Sequence, residues 1–207
     1  MNSREALEKL KKGNRKFRGS KRGKSLISSK LRLKLAKKGQ HPFACVISCS
    51  DSRVVPEMIF SADLGDIFTV RTAGNVINAG EEGSVEYVVE HLGVPLVVVM
   101  GHTLCGAVSA ALSSEPDGSV KAITDRIKEA IGDETDPDRC AWLNAESGVK
   151  HLLQHEGLAS LVAEGKLDII PALYHTKSGR VTFGPLMNGG DGADQEQAES
   201  EASESQE

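Results

Sequence analysis

Two short apolar runs constrain this chain more than any other feature of its sequence. Cys45-Val-Ile-Ser-Cys49, placed just after Pro42-Phe43, is apolar and β-rich, and Pro95-Leu-Val-Val-Val-Met-Gly101 is a continuous Val/Leu stretch. Runs of this length and composition read as buried strands. An apolar pattern without alternation belongs to strands covered on both faces, as in parallel sheets flanked by helices. In open α/β sheets, ligands bind at the carboxyl ends of the strands. The first run ends at Cys49, and the second leads straight into His102-Thr-Leu-Cys105.

Two thiols and one imidazole form a ligand set suited to a soft-to-borderline cation such as Zn²⁺, and a Cys₂His set leaves the fourth coordination position open. Structural zinc sites usually close that position with another Cys or His. Here the nearest further candidate is a carboxylate, Asp51, beside Arg53 in Cys49-Ser-Asp-Ser-Arg53. An open position next to an acid–base pair points to chemistry on water. Buried cysteines are often inert small hydrophobes, and a lone His-x-x-Cys reads as core. Two strand ends supplying complementary ligands, with Asp51 and Arg53 alongside, select the metal site instead. Gly101 and Gly106 flank the second pair and permit a tight turn. Cys105-Gly-Ala-Val-Ser-Ala-Ala-Leu112 reads as a helix start, whose free amides favour the thiolate of Cys105.

Five ordered segments carry a resemblance. Cys49-Ser-Asp-Ser-Arg-Val54, Val70-Arg-Thr-Ala-Gly-Asn75, Gly83-Ser-Val-Glu-Tyr-Val88, Gly101-His-Thr-Leu-Cys-Gly-Ala107 and the late Ala172-Leu-Tyr174 resemble the β-class carbonic anhydrases. The likeness runs from about residue 4 to residue 184. It implies an α/β fold with a mainly parallel central β-sheet flanked by helices, and an N-terminal helical arm. It further implies a zinc enzyme, one Zn²⁺ per subunit, that interconverts carbon dioxide and bicarbonate through zinc-bound hydroxide. Cys49, His102 and Cys105 match the three zinc ligands. Asp51 and Arg53 match a dyad in which the arginine holds the carboxylate off the metal and the carboxylate orients the hydroxide. Gln40, Phe68, Ala73, Tyr87 and Gly106 match substrate-pocket positions. Gln40, Phe68 and Tyr87 would serve the site of a partner subunit, which implies a homodimer or a higher even homo-oligomer. On the residues alone, Gln40 also reads as a solvated polar group, and Phe68 and Tyr87 as core packing. Hydrolysis of carbonyl sulfide or carbon disulfide by the same site is the nearer alternative activity. A non-catalytic zinc-binding assembly protein is the distant one.

This sequence departs from the resemblance at some positions. Val46 and Ser48 stand where some bacterial members have the Trp and Gly of a regulatory bicarbonate site, which argues against that regulation. Pro171 replaces a common Gly and removes a ladder donor from what reads as an edge strand.

The remaining composition fits one globular enzyme. A chain of 207 residues with 39% hydrophobic content can bury a full α/β core, and a net charge of −4 gives no nucleic-acid footprint. No run of about twenty apolar residues spans a membrane, no signal-peptide core follows Met1, and four cysteines, two spent on the site, suggest a reducing compartment, so a cytoplasmic location is expected. Cys45 and Cys140 read as free thiols. Three regions are expected: a basic helical arm over 1–38 that packs across a dimer partner, a catalytic core over 39–187, and an acidic disordered tail over 188–207. Within the core, Val120–Ile131 predicts a helix, Gly132–Asp138 a polar loop and Val149–Glu164 a second helix broken at Gly157. A hairpin is predicted around Lys177-Ser-Gly179. His151 and His155 lie one helical turn apart and read as a polar face, since no third ligand accompanies them.

Overall fold

The computed structural model describes residues 1–19, 28–113 and 117–186. In chain order the elements are α1 (Ser3–Gly19), α2 (Ser29–Lys38), β1 (Ala44–Cys49), α3 (Pro56–Ile59), β2 (Ile67–Thr72), α4 (Ala79–Leu92), β3 (Leu96–His102), α5 (Gly106–Ser113), α6 (Val120–Ile131), α7 (Pro137–Leu152), α8 (Glu156–Ala163), β4 (Asp168–Tyr174) and β5 (Val181–Phe183). A single 3₁₀ turn, Ala73–Asn75, follows β2. The sheet runs β2-β1-β3-β4-β5, parallel throughout except for the antiparallel pairing of β5. Both predicted apolar runs are central strands. Every residue of β1 and of β3 is buried, as two-sided cover requires.

Alternate side chains divide the core by face. Val46, Val98, Met100, Ile170 and Tyr174 meet Leu7 and Leu10 of α1 on one side. Ile47, Val97, Val99 and Ile169 meet Val85, Val88 and Leu152 of α4 and α7 on the other. A third cluster forms beyond the strand ends, where Val108 and Ile127 pack around Cys49 and Cys105. Helix α7 can lie close to β3 because two glycines leave room. A Cβ on Gly101 would stand 2.6 Å from the Ala141 carbonyl oxygen, and one on Gly148 would stand 2.9 Å from Val99.

Several expectations change. The apolar stripe Ala6, Leu7 and Leu10 is buried in its own chain, and Asn14 ties α1 to the Ile59 and Gly179 carbonyls and to the Val181 N–H. The basic helix α2, by contrast, buries no residue. The loop expected over 132–138 stops at Asp136, whose carboxylate caps α7 at Arg139 N (2.7 Å), with Pro137 in the first turn. The helix expected over 149–164 is two helices. The break falls at residues 153–155, ahead of Gly157, and the His155 ring caps α8 by accepting from Leu158 N. The late hairpin forms as expected, but β4 is not an edge strand. Pro171 accepts from Gly184 N at 2.8 Å, so its missing donor faces the end of β5, where the ladder stops. Its ring lies so close that a Cβ on Gly184 would come within 2.8 Å of it. The acidic tail expected over 188–207 lies outside the described residues. Among those described, no helix is long and apolar enough to cross a membrane.

Candidate metal centre

β1 and β3 are neighbours in register, with Ser48 opposite Met100, so their carboxyl ends deliver Cys49 and His102 side by side. The chain then turns through Leu104, at φ +58°, and places Cys105 just before α5. One ligand atom each from Cys49, His102 and Cys105 lies within 4.8 Å of the others, and all three residues are buried.

The electrostatics around the three fit a cation. His102 Nδ1 donates to the Thr103 carbonyl at 3.0 Å, which fixes the tautomer and leaves Nε2 to face the two sulfurs. That Nε2 is buried without a hydrogen-bond partner, a costly state for an imidazole unless a ligand claims it. Cys49 is drawn down to about 4, chiefly by the hydrogen bond from the Cys105 thiol, with help from the backbone N–H groups of Asp51 and Gly74. Cys105 is pushed up because it holds the shared proton against Cys49 and is buried, although the Ala107 and Val108 N–H groups at the start of α5 pull the other way. Two thiols sharing one proton beside an unsatisfied imidazole make a donor set that a divalent cation would complete by displacing the proton. Cys45 lies four residues earlier on β1, where burial raises its thiol to about 12, and it takes no part.

Asp51 stands at the mouth, held by Arg53. The guanidinium donates Nε to Oδ1 at 2.9 Å and its terminal nitrogen to Oδ2 at 2.7 Å, while the Arg53 N–H adds a third bond to Oδ1. These bonds hold the Asp51 carboxyl well below the usual carboxylate range. The same arginine donates to the Leu104 carbonyl at 3.0 Å and so links the dyad to the loop carrying the other two ligands. The two sequence-predicted halves of the site are thus joined by a direct contact.

The other predicted positions fall into two groups. Ala73 and Gly106 sit on the two segments that border the sulfurs: Ala73 precedes Gly74, whose N–H donates to Cys49 Sγ at 3.3 Å, and Gly106 follows Cys105 at the start of α5. Phe68 and Tyr87 form an aromatic pair at 6.4 Å, and Tyr87 continues onto His91 at 5.2 Å. Tyr87 is 49% exposed and Gln40 is exposed, so neither is core packing. No hydrogen bond, ion pair or ring contact joins Gln40, Phe68 or Tyr87 to the three ligands of their own chain.

Sequence reasoning missed the braces. Arg71 donates to the Cys49 carbonyl at 3.2 Å and to the Asp51 carbonyl at 2.8 Å, clamping the first ligand loop. Asn144 on α7 donates to the Gly74 carbonyl at 2.8 Å and holds the turn that caps Cys49. Gly74 itself, at φ +64°, has no room for a Cβ beside Ala107 and Ile127. Arg71 lay within a recognised segment and had a signal. Asn144 sits in the middle of a helix and had none.

The mainly parallel α/β sheet carries at its strand ends a buried Cys-His-Cys group that could hold a metal ion. The carbonic anhydrase family profile matches residues 44–181. Carbonic anhydrase 2 of Mycobacterium tuberculosis is 36% identical over 199 residues, covering 86% of this chain and 91% of its own. The carbonic anhydrase of Mycolicibacterium smegmatis is 40% identical over 153 residues, covering 69% and 74%. A tetrameric β-carbonic anhydrase from Sordaria macrospora matches in structure with a TM-score of 0.66 at 29% identity, covering 76% of this chain and 86% of that one. This chain belongs to the β-class carbonic anhydrase family.

Proposed function

We propose that this chain catalyses the reversible hydration of carbon dioxide to bicarbonate and a proton, with Zn²⁺ held by Cys49 Sγ, His102 Nε2 and Cys105 Sγ. One observation carries the reading: a buried thiol pair and an unpartnered imidazole nitrogen lie beside a carboxylate locked in place by an arginine. When bound, a Lewis-acidic Zn²⁺ lowers the pKa of water from about 15.7 toward 7 and so supplies a nucleophile at neutral pH.

The chain does the rest. Arg53 keeps Asp51 out of the ligand set and ionised, so the carboxylate accepts a hydrogen bond from the attacking oxygen and aims its lone pair at the substrate carbon. Substrate carbon gains that oxygen, and the proton released from water leaves to solvent or buffer. Ala73 and Gly106 border the space for a small linear apolar molecule. Gln40 and Tyr87, exposed in their own chain, and the half-buried Phe68 close the pocket of a second copy, which makes the working unit a homodimer or a larger even assembly. α2, with no buried residue of its own, supplies the part of the N-terminal segment that reaches that copy. A cytoplasmic setting suits the unpaired thiols.

Stopped-flow hydration of carbon dioxide by the zinc-loaded protein tests the proposal, with Cys49→Ala as blank. Rapid turnover that disappears in the variant is expected. No turnover with one zinc bound per chain overturns the carbon dioxide reading and moves carbonyl sulfide and carbon disulfide to the front.

A further inference from the structure

We infer that Thr176, on the turn between β4 and β5, is a positioning residue for the metal ligand His102, acting through Thr103. The inference rests on the reading of His102 as a ligand. The contacts are few and the protons can be counted. Thr176 N donates to Thr103 Oγ1 at 3.0 Å, the two hydroxyl oxygens lie 3.0 Å apart, and Thr176 Oγ1 reaches the Thr103 carbonyl at 3.4 Å. The Thr103 carbonyl also takes the His102 Nδ1 proton at 3.0 Å.

A hydroxyl donates once and accepts up to twice. One assignment satisfies every group. Thr176 N–H donates to the Thr103 hydroxyl, which donates to the Thr176 hydroxyl, which donates to the Thr103 carbonyl that already holds the imidazole proton. The chain of donors closes on a single peptide oxygen. That oxygen sets the ring's rotation about its bond to the strand, and hence where Nε2 points. Thr103 is buried and its own N–H is spent on the Tyr174 carbonyl at 3.0 Å, so the residue is held through both its N–H and its carbonyl. Outer partners of metal-bound histidines orient the ring, and their loss typically lowers affinity 10–100-fold. Thr176 acts one bond further out, so the lower end of that range applies.

The test is zinc affinity by chelator competition on the full chain, with Co²⁺ absorption as a second readout. Thr176→Val keeps the shape and removes the hydroxyl; about tenfold weaker zinc binding and an altered Co²⁺ spectrum are expected. Thr176→Ser should restore both. Thr182→Val is the control: it breaks the 3.0 Å contact of Thr182 with His175 on the same hairpin and leaves the clamp intact. Its zinc affinity should match the parent. Parent-like affinity and spectrum in Thr176→Val would overturn the clamp, as would equal losses in Thr182→Val, which would mean a generally loosened hairpin. A parent chain that binds no zinc would sink the metal reading itself, a separate result.

Discussion

The ligand cluster and the Phe68–Tyr87 aromatic pair are built in opposite ways. Cys49, His102 and Cys105 are buried, and each is fixed by backbone or side-chain contacts from its own chain: Gly74 N–H on Cys49, the Thr103 carbonyl on His102, the start of α5 on Cys105. Tyr87 and Gln40 are exposed, and Tyr87 touches only rings, those of Phe68 and His91, among the contacts described. One folded chain therefore contains everything needed to hold a cation. The surface that would recognise substrate faces outward. On the proposed reading, metal binding belongs to the subunit and turnover to the assembly.

The largest expected effect strikes the self-contained half. Cys105→Ala should bind no stoichiometric zinc and hydrate carbon dioxide no faster than a metal-free blank, by metal analysis and stopped flow. Retained zinc would mean that two ligands suffice and that the division drawn here is false. Next comes Asp51→Asn, which should keep zinc while kcat falls about a hundredfold, the scale expected when a reacting atom loses its orienting group.

Tyr87→Ala should leave zinc affinity unchanged and lower kcat/KM roughly tenfold, corresponding to about 1.4 kcal/mol of lost contact. Mixing sharpens the point. Tyr87→Ala subunits are slowed for want of an aromatic wall, and Cys49→Ala subunits are inactive for want of metal. Mixed oligomers should recover activity if Tyr87 serves a neighbour. Mixtures with no recovery would place Tyr87 at its own chain's site.

The smallest effect concerns the dyad's charge. Arg53 depresses the folded-state pKa of Asp51 below its unfolded value near 3.9. The pair's contribution to stability is therefore complete above about pH 4 and is lost only as pH falls toward the folded value. The difference in melting temperature between the parent and Asp51→Asn should stay constant from pH 8 to pH 5 and shrink below pH 4. Convergence already at pH 6 would show that Arg53 does not hold the carboxylate in solution.

The strands and the ligands were readable for one reason: both depend on contiguous residues. A Val/Leu run declares a covered strand, and a ligand at its end inherits the position. α7 carried its own start signal, Asp136-Pro137, yet the periodicity of 149–164 drew the helix too far downstream. The stripe Ala6, Leu7, Leu10 showed that α1 buries a face; which core receives it depends on contacts with β4 and α3 that no local pattern encodes. The braces were hidden for the same reason. Arg71, Asn144 and Thr176 act on residues far from them in the chain, and an ordinary polar side chain gives no sign of what it will meet.

The interlock of Pro171 with Gly184 has a consequence for how such a chain can change its length. The ring of one occupies the space where the other would carry a side chain, so β5 cannot slide along β4 by even one residue without driving Phe183 or Pro185 into it. Insertions or deletions in the 175–180 turn therefore cannot be absorbed by a shift of register. They must bulge outward at the tip or pull on the segment carrying Thr176. The length of the turn behind the histidine is thereby tied to the position of Thr176 and, through it, to that of the Thr103 carbonyl.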